Sequence, residues 1–319
     1  MLVTTVSTTL VTLLSLMALS LPLAAEPPER ASLAFKAAEP GCYAFDTGLF
    51  RGTLKLDGKF MGLYPLTDAA TGETLTRPPG VFSPYRVFSA NKRYGNAARD
   101  WPVTTRLLAE GAVEVHWPAA PEHPVEMTCV YRWKAADTLD LALAVTPQCD
   151  MPRFEVFMSS YFTNRFFASV YVKPKEAAAQ PAFAPVNRRP TSTGGFVMFP
   201  RDEEAVGMIR DGRWKLGSNP VDWAIESFMA APLAFRRDGE LGLTAVFMSP
   251  PGDCFAVASP WNPPKPDAGG YRSLYQCFFG RDLKSGETAR VHCRFVINRN
   301  ISDEDVVARY GDYLKGLRP

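Results

Sequence analysis

Two neighbouring stretches decide the fold class of this chain: VEMTCVYRW at residues 125–133 and TLDLALAV at residues 138–145. In each stretch, large apolar side chains alternate with polar or smaller ones at a period of two. That period places alternate side chains on opposite faces of an extended strand. The pattern predicts antiparallel strands, each with one face on a hydrophobic core.

The same period recurs along most of the chain. Further strands are predicted at residues 53–56, 112–117, 153–159, 169–172, 195–199, 205–210, 223–229, 242–249, 254–259, 271–279 and 288–297. Asp211-Gly212, Asp238-Gly239 and Ser285-Gly286 lie between apolar runs, where glycine suits a tight hairpin turn. We therefore expect an all-β protein, a large antiparallel β-sandwich of two packed sheets.

One helix is predicted, at the C-terminal end. Ser302 is a suitable N-cap with Asp305 three residues later. The apolar residues that then share one helical face are Val306, Tyr310, Tyr313, Leu314 and Leu317. Residues 173–192 and 259–270, rich in Pro, Ala or Gly, read as long loops, and residues 26–319 as a single sandwich domain.

Composition excludes several classes of protein. The chain has 319 residues and is 46% hydrophobic, which is too apolar for a disordered chain. Its 35 Lys and Arg balance 33 Asp and Glu, so no basic field for nucleic acid is expected. Phosphate-binding glycine motifs and a nucleophile elbow are absent, and the three histidines lack the spacing of metal ligands. No cofactor and no metal are predicted.

The N-terminal segment suggests export. Residues 2–25 carry no charge, residues 10–23 are mostly apolar, and small residues precede Glu26. This predicts a signal peptide at residues 1–25, cleaved after Ala25, and a periplasmic or extracellular protein with no membrane segment once it is cleaved. A retained membrane anchor and a wrongly assigned start codon are the alternatives. Six cysteines follow. Either they form up to three disulfides, or most of them are small buried apolar side chains.

A polar segment at residues 85–101 is the first candidate site. It contains Arg86, Arg93, Asp100 and Trp101. Sugars present hydroxyls that need polar partners and C–H faces that lie on aromatic rings, so this combination predicts substrate-binding residues for a carbohydrate ligand. The alternative is that the arginines are surface charges and Trp101 closes the sandwich edge.

Two candidate catalytic residues lie in predicted strands. Glu155 stands in an apolar run, where a carboxylate must be paired, face water or have a raised pKa suited to a general base. His116 ends a strand before a Pro-rich turn. Tyr275 is a further substrate-binding candidate on the other rim. An ordinary salt bridge to an arginine explains Glu155 equally well.

Scattered short strings resemble one known superfamily. They are GLYPL at 62–66, TG at 71–72, YRVF at 85–88, DWP at 100–102, FEVF at 154–157, YF at 161–162, SLY at 273–275, Gly280 and GET at 286–288. In these strings the chain resembles the galactose mutarotase-like supersandwich proteins over most of residues 45–298. The resemblance implies a concave sheet that holds a sugar. The histidine and glutamate motifs of true aldose 1-epimerases are absent, so their roles do not transfer to His116 and Glu155.

Two functions therefore stand at this point. The first is an exported carbohydrate-recognising protein, active as a cofactor-independent sugar epimerase or a related carbohydrate-active enzyme if it is an enzyme. The second is a non-catalytic β-sandwich that binds carbohydrate or another protein.

Overall fold

Twenty strands and two helices form the regular structure of the residues described in the computed structural model, which are 1, 32–56, 59–176, 178–192, 194–266, 268 and 270–317. The first ten strands are β1 (Ser32–Glu39), β2 (Cys42–Asp46), β3 (Phe50–Leu56), β4 (Phe60–Asp68), β5 (Ser83–Ser89), β6 (Lys92–Arg93), β7 (Thr104–Leu107), β8 (Val113–Trp117), β9 (Val125–Ala135) and β10 (Thr138–Pro147). The others are β11 (Met151–Tyr161), β12 (Phe166–Val172), β13 (Ala182–Pro185), β14 (Phe196–Pro200), β15 (Trp223–Ile225), β16 (Met229–Asp238), β17 (Leu243–Met248), β18 (Cys254–Pro260), β19 (Ser273–Leu283) and β20 (Ala289–Arg299). The helices are α1 (Glu203–Ile209) and α2 (Asp303–Gly316).

The strands form three sheets. β1 to β4 make a four-stranded sheet in chain order, a seven-stranded sheet runs β15-β14-β18-β19-β11-β5-β6, and a nine-stranded sheet runs β13-β12-β16-β17-β20-β10-β9-β8-β7. The ladders between described strands are antiparallel except for the parallel pair β14 and β15. The predicted all-β antiparallel sandwich is confirmed.

Burial along two strands shows which sheet is covered on both faces. In β9 buried residues alternate with more exposed ones, because only one face of that strand lies on the core. In β11, by contrast, residues 154–160 are all buried. One face of β11 joins the main core through Val156 and Met158, and the other contributes Phe157 to a second apolar cluster. The seven-stranded sheet therefore has a covered outer face, and the site lies there.

The predicted strand at residues 205–210 is wrong, because these residues belong to α1 and its end. The Asp202 carboxylate accepts the Ala205 N–H at 2.9 Å and caps the helix. Ala205, Met208 and Ile209 are its buried residues, a helical spacing that packs on the seven-stranded sheet. Asp211-Gly212 consequently leads into a short 3-10 turn, Arg213–Lys215, and not into a hairpin.

The predicted C-terminal helix is confirmed as α2. Ser302 and Asp305 form a reciprocal capping box, as expected from their spacing. Val306 and Tyr310 are buried against the outer face of the nine-stranded sheet. Leu317 departs from the prediction, because it caps the helix end and is 41% exposed.

Other sequence predictions meet the structure unevenly. The segment 85–101 contains most of β5 and all of β6, and β13 lies in the predicted loop 173–192. All six cysteines lie in the described part of the chain as free thiols, and four of them are buried, as the second interpretation of their role expects.

The predicted signal peptide falls, apart from Met1, outside the described residues. Within those residues, no helix has the length and apolarity needed to cross a bilayer.

Candidate functional site

A cavity of about 360 Å³ opens on the outer face of the seven-stranded sheet. We call it the aromatic cavity. Its lining consists of Tyr85, Arg86, Phe157, Tyr161, Phe196, Trp214, Asn219, Pro220, Val221, Trp223, Tyr271 and Tyr275. Its volume is within the usual range of small-molecule sites, about 300 to 1,000 Å³.

The floor of the aromatic cavity comes from two central strands. Phe157 and Tyr161 project from β11 on one face, because strand alternation separates them from Val156 and Met158. Phe157 stacks on Tyr275 of β19, with ring centroids 4.6 Å apart and planes at 21°. Tyr161 meets Tyr275 edge-on at 6.1 Å. The floor is thus a set of apolar ring faces.

A β-bulge brings two consecutive side chains of β5 into the lining. Phe157 pairs with Arg86, but the next residue, Met158, pairs with Pro84, so Tyr85 has no partner on β11. A bulge of this kind re-aims side chains that simple alternation would send to opposite faces. Both Tyr85 and Arg86 line the aromatic cavity as a result.

Two tryptophans form the opposite wall. Trp214 lies in the 3-10 turn after α1, and Trp223 begins β15, with ring centroids 5.0 Å apart at 79°. Sequence reasoning missed both as site residues. A sequence signal for them exists. Residues 212–223 contain Gly212, Gly217 and Pro220, which predict a loop, and this loop carries two tryptophans, as the aromatic and polar segment 85–101 carries Trp101.

Arg86 is a buried cation without an anionic partner among the described residues. Its side chain is 2% exposed, and its guanidinium lies 5.0 Å from the Tyr85 ring centroid and 5.2 Å from that of Trp214. Nη2 donates to the Asn219 carbonyl at 2.6 Å, whereas Nε and Nη1 have no partner within the described chain. Arg86 therefore has no counter-ion among the described residues, and two of its nitrogens have no hydrogen-bond acceptor there.

Arg99 stands close to the same ring. Its guanidinium lies 4.5 Å from the Tyr85 centroid, and Nη2 donates to Ser159 Oγ at 3.2 Å. Arg99 is 8% exposed and, in the part of the chain that is described, forms no ion pair. Two buried guanidiniums thus flank Tyr85.

Arg93, predicted to bind substrate, does not line the aromatic cavity. Its Nη1 donates to the carbonyls of Leu216 and Ser218 at 2.9 and 2.7 Å, and its Nη2 to that of Asn96 at 2.5 Å. These bonds hold the loop that continues into Asn219. Burial, and next the nearby Arg86 charge, lower the pKa of Arg93. Arg93 is a positioning residue for the wall.

The carboxylate of Glu155 is paired with a buried arginine of the same chain. It is 1% exposed, and its Oε2 accepts from Arg213 Nη1 at 2.9 Å, while Asp211 binds the other edge of the same guanidinium. Burial raises the pKa of Glu155, and the contact with Arg213 opposes that rise. Burial would lower the pKa of Arg213, but Glu155 and Asp211 raise it. This is the salt-bridge alternative that the sequence left open.

The second catalytic candidate lies on another sheet. His116 belongs to β8 of the nine-stranded sheet, and its Nε2 is 2.9 Å from Glu126 Oε1. Neither His116 nor Glu155 lines the aromatic cavity. The structure therefore does not bring the two together as an acid and base pair.

The remaining predicted residues separate into two groups. Arg86 and Tyr275 line the aromatic cavity. Asp100 lies 3.8 Å from Lys59 on the surface, and Trp101 is buried in a stack on His123 at 3.8 Å and 6°. Asp100 and Trp101 lie outside the lining.

Comparison with known proteins places the fold. No protein-family model matches the chain, and no curated protein matches it. Among solved structures, it is similar to the Slr1438 protein from Synechocystis sp. PCC 6803, with a TM-score of 0.51, 12% identity and coverage of 85% of this chain and 100% of that one.

Two enzyme-like structures score lower. A putative aldose 1-epimerase from Escherichia coli K12 has a TM-score of 0.47 and 13% identity, covering 81% of this chain and 99% of that one. A galactose mutarotase related enzyme from Lactobacillus acidophilus has a TM-score of 0.49 and 11% identity, covering 82% and 99%. At these identities the likeness is one of fold. The similarity to the Slr1438 structure, at a TM-score of 0.51, shows a shared fold.

Proposed function

We propose that this protein binds a carbohydrate in the aromatic cavity. The observation that carries the proposal is the stack of Phe157 on Tyr275, faced by Trp214 and Trp223. Flat ring faces suit the C–H faces of a sugar, and a few polar groups at the edge of such a pocket orient its hydroxyls. Arg86 supplies donors of that kind.

The proposal is for binding without catalysis. Epimerisation at an anomeric carbon needs an acid and a base within hydrogen-bond reach of the same sugar. Glu155 is engaged by Arg213, and His116 belongs to the other sheet. In polarimetry of fresh aldose solutions, we expect no acceleration of mutarotation, and an acceleration that Glu155→Gln abolishes would assign a catalytic function instead.

A binding experiment tests the proposal directly. In calorimetric titration with a panel of mono- and oligosaccharides, we expect at least one to bind, and Trp223→Ala to weaken that binding about fivefold or more, since an aromatic contact contributes on the order of 1 kcal/mol. Tyr171→Ala is the matched control, because Tyr171 packs on Phe183 at the nine-stranded sheet. Absence of binding, or equal losses in the two variants, would contradict the proposal.

We also propose that the protein acts outside the cytoplasm, on the strength of the uncharged segment 2–25. N-terminal sequencing of the protein from fractionated cells should find Glu26 as the first residue in the exported fraction. A full-length chain confined to the cytoplasm would contradict this.

A further inference from the structure

We infer that the ligand is an acidic oligosaccharide, whose carboxylate or sulfate groups bind arginines in two adjoining cavities that share Tyr161 and Tyr271. The inference rests on the proposed function and deepens it. It names the chemical class of the saccharide and a second part of the site.

A second cavity, of about 440 Å³, adjoins the aromatic cavity. We call it the arginine cavity, and its lining includes Arg77, Asn164 and Arg272. Tyr161 and Tyr271 belong to both linings, so the two cavities meet at these rings. A ligand that fills both is longer than one sugar unit.

Tyr271 has the position of a platform between the two cavities. It is 62% exposed, and its ring packs edge-on against Tyr161 at 6.4 Å and 70°. A large exposed aromatic side chain at the junction of two cavities is suited to contact with a ligand that passes across it. A chain of sugar units has that shape.

The charges of the two linings have one sign. Arg86, Arg77 and Arg272 belong to them, and no Asp, Glu or Lys does among the described residues. None of the three arginines forms an ion pair within the described chain. Arg272 donates to the carbonyls of Asn164, Pro266 and Ala268 at 2.7, 3.2 and 2.8 Å, so the backbone holds its guanidinium. Arg86 and Arg77 are therefore the two arginines available to an anionic ligand.

The neighbouring carboxylates are already engaged elsewhere. Asp222 pairs with Lys215, and Glu226 forms an ion pair with Arg189, whose Nε lies 3.1 Å from Glu226 Oε2. They leave the Arg86 charge uncompensated. A buried cation without a counter-ion is costly, and a carboxylate or sulfate from a ligand would form short, charge-assisted hydrogen bonds with it.

Arg236 shows how a structural arginine differs from Arg86. It is also buried without a carboxylate, and burial lowers its pKa to about 9. It donates to the carbonyls of Phe166 and Ser273 and to the Ser259 hydroxyl, at 2.6 to 2.8 Å, and it lines neither cavity. Arg86 donates through Nη2 alone, to the Asn219 carbonyl at 2.6 Å and to the Tyr85 hydroxyl at 3.5 Å. Its Nε and Nη1 are both unpartnered within the described chain, against Nε alone in Arg236, and a cavity lies beside it.

The test compares acidic with neutral tetrasaccharides by calorimetry. The probes are tetragalacturonate and tetramannuronate for carboxylates, a heparin tetrasaccharide for sulfates, cellotetraose as the neutral probe and galacturonate as the monomer. We expect at least one acidic tetramer to bind about tenfold or more tightly than cellotetraose and than galacturonate, because charge-assisted hydrogen bonds in both cavities distinguish them. Which acidic arm binds tells carboxylate from sulfate.

Two variants assign the effect to the arginines. Arg86→Met and Arg77→Ala should each weaken the acidic tetramer about tenfold or more. Arg77 lies on the surface, so its replacement leaves the core intact. Arg106→Ala is the control, since it removes the same charge from an exposed position on β7 and should leave affinity unchanged.

The outcomes distinguish failure of the acidic-ligand inference from failure of the proposed carbohydrate binding. If cellotetraose binds as tightly as the acidic tetramers, or if Arg86→Met and Arg77→Ala behave like Arg106→Ala, the inference is overturned while carbohydrate binding stands. Equal affinity for galacturonate and its tetramer overturns the second cavity as part of the site. If none of the probes or neutral sugars binds, both the acidic-ligand inference and the proposed carbohydrate binding are wrong.

Discussion

Arg86 and Arg213 lie on the same face of the seven-stranded sheet in opposite electrostatic surroundings. Both are buried, and each guanidinium lies beside an aromatic ring, 5.2 Å from Trp214 for Arg86 and 5.7 Å from Phe88 for Arg213. Arg213 binds two carboxylates, whereas Arg86 has none among the described residues. Carboxylates of the protein compensate the charge of Arg213, and Arg86 is the cation that we propose binds a ligand.

The difference separates stability from binding. A buried ion pair is strongly destabilising to break, because the remaining charge stays buried without a partner. A buried cation that has no anionic partner in the protein leaves no unpaired anion when it is removed. We therefore expect substitutions around Arg213 to act on folding and those at Arg86 to act on affinity.

The largest effect is expected for Glu155→Gln. The substitution preserves shape but removes one of the two anions at Arg213, so the free energy of unfolding should fall by roughly 3 kcal/mol. Urea denaturation followed by tryptophan fluorescence measures the change. Arg86→Met, in the same assay, should change stability by no more than about 1 kcal/mol.

Equal losses of stability in these two variants would contradict the difference between Arg213 and Arg86. So would a Glu155→Gln protein as stable as the wild type, because Asp211 alone would then satisfy Arg213.

A smaller effect is expected for Asp202→Ala at the N-terminus of α1. Loss of the cap should lower the free energy of unfolding by about 1 kcal/mol. Because no residue of α1 lines the aromatic cavity, saccharide affinity should not change. Ser302→Ala, which removes the cap of α2, serves as the matched control with a similar loss. A loss of affinity in Asp202→Ala alone would show that the two halves of this face are coupled.

The smallest effect concerns His123, a neutral counterpart to the arginines stacked on rings. Burial is the main reason that the pKa of His123 lies below its usual value near 6.5. The unfolded chain therefore takes up the proton first as pH falls, so the contribution of His123 to stability is present above pH 6.5 and is lost below it. Between pH 7 and pH 5, unfolding experiments should show a steeper loss for the wild type than for His123→Phe, which keeps the stack on Trp101. Parallel curves would contradict this assignment.

The fold was predictable from sequence where the residues of a single strand or helix carry the pattern that determines its structure. Alternation in β9 and β10 and the Ser302 and Asp305 cap are local signals, and the structure confirms them. The segment 205–210 failed as a strand because its apolar spacing is short enough to fit either period, and the Asp202 cap decided for helix.

The site was less predictable because its residues meet through long-range contacts. Alternation places Phe157 and Glu155 on one face, but it does not show that Arg213 covers Glu155 while Phe157 stays open to the cavity. The bulge that presents Tyr85 beside Arg86 depends on the register between β5 and β11. Neither feature has a local signature in the sequence.

A crystal structure of the complex with the tightest-binding acidic tetrasaccharide would locate the ligand on the protein. We expect a sugar ring on the Phe157 and Tyr275 floor and an anionic group within hydrogen-bond distance of Arg86 Nε or Nη1. A saccharide bound at another surface, with the aromatic cavity empty, would contradict this expectation.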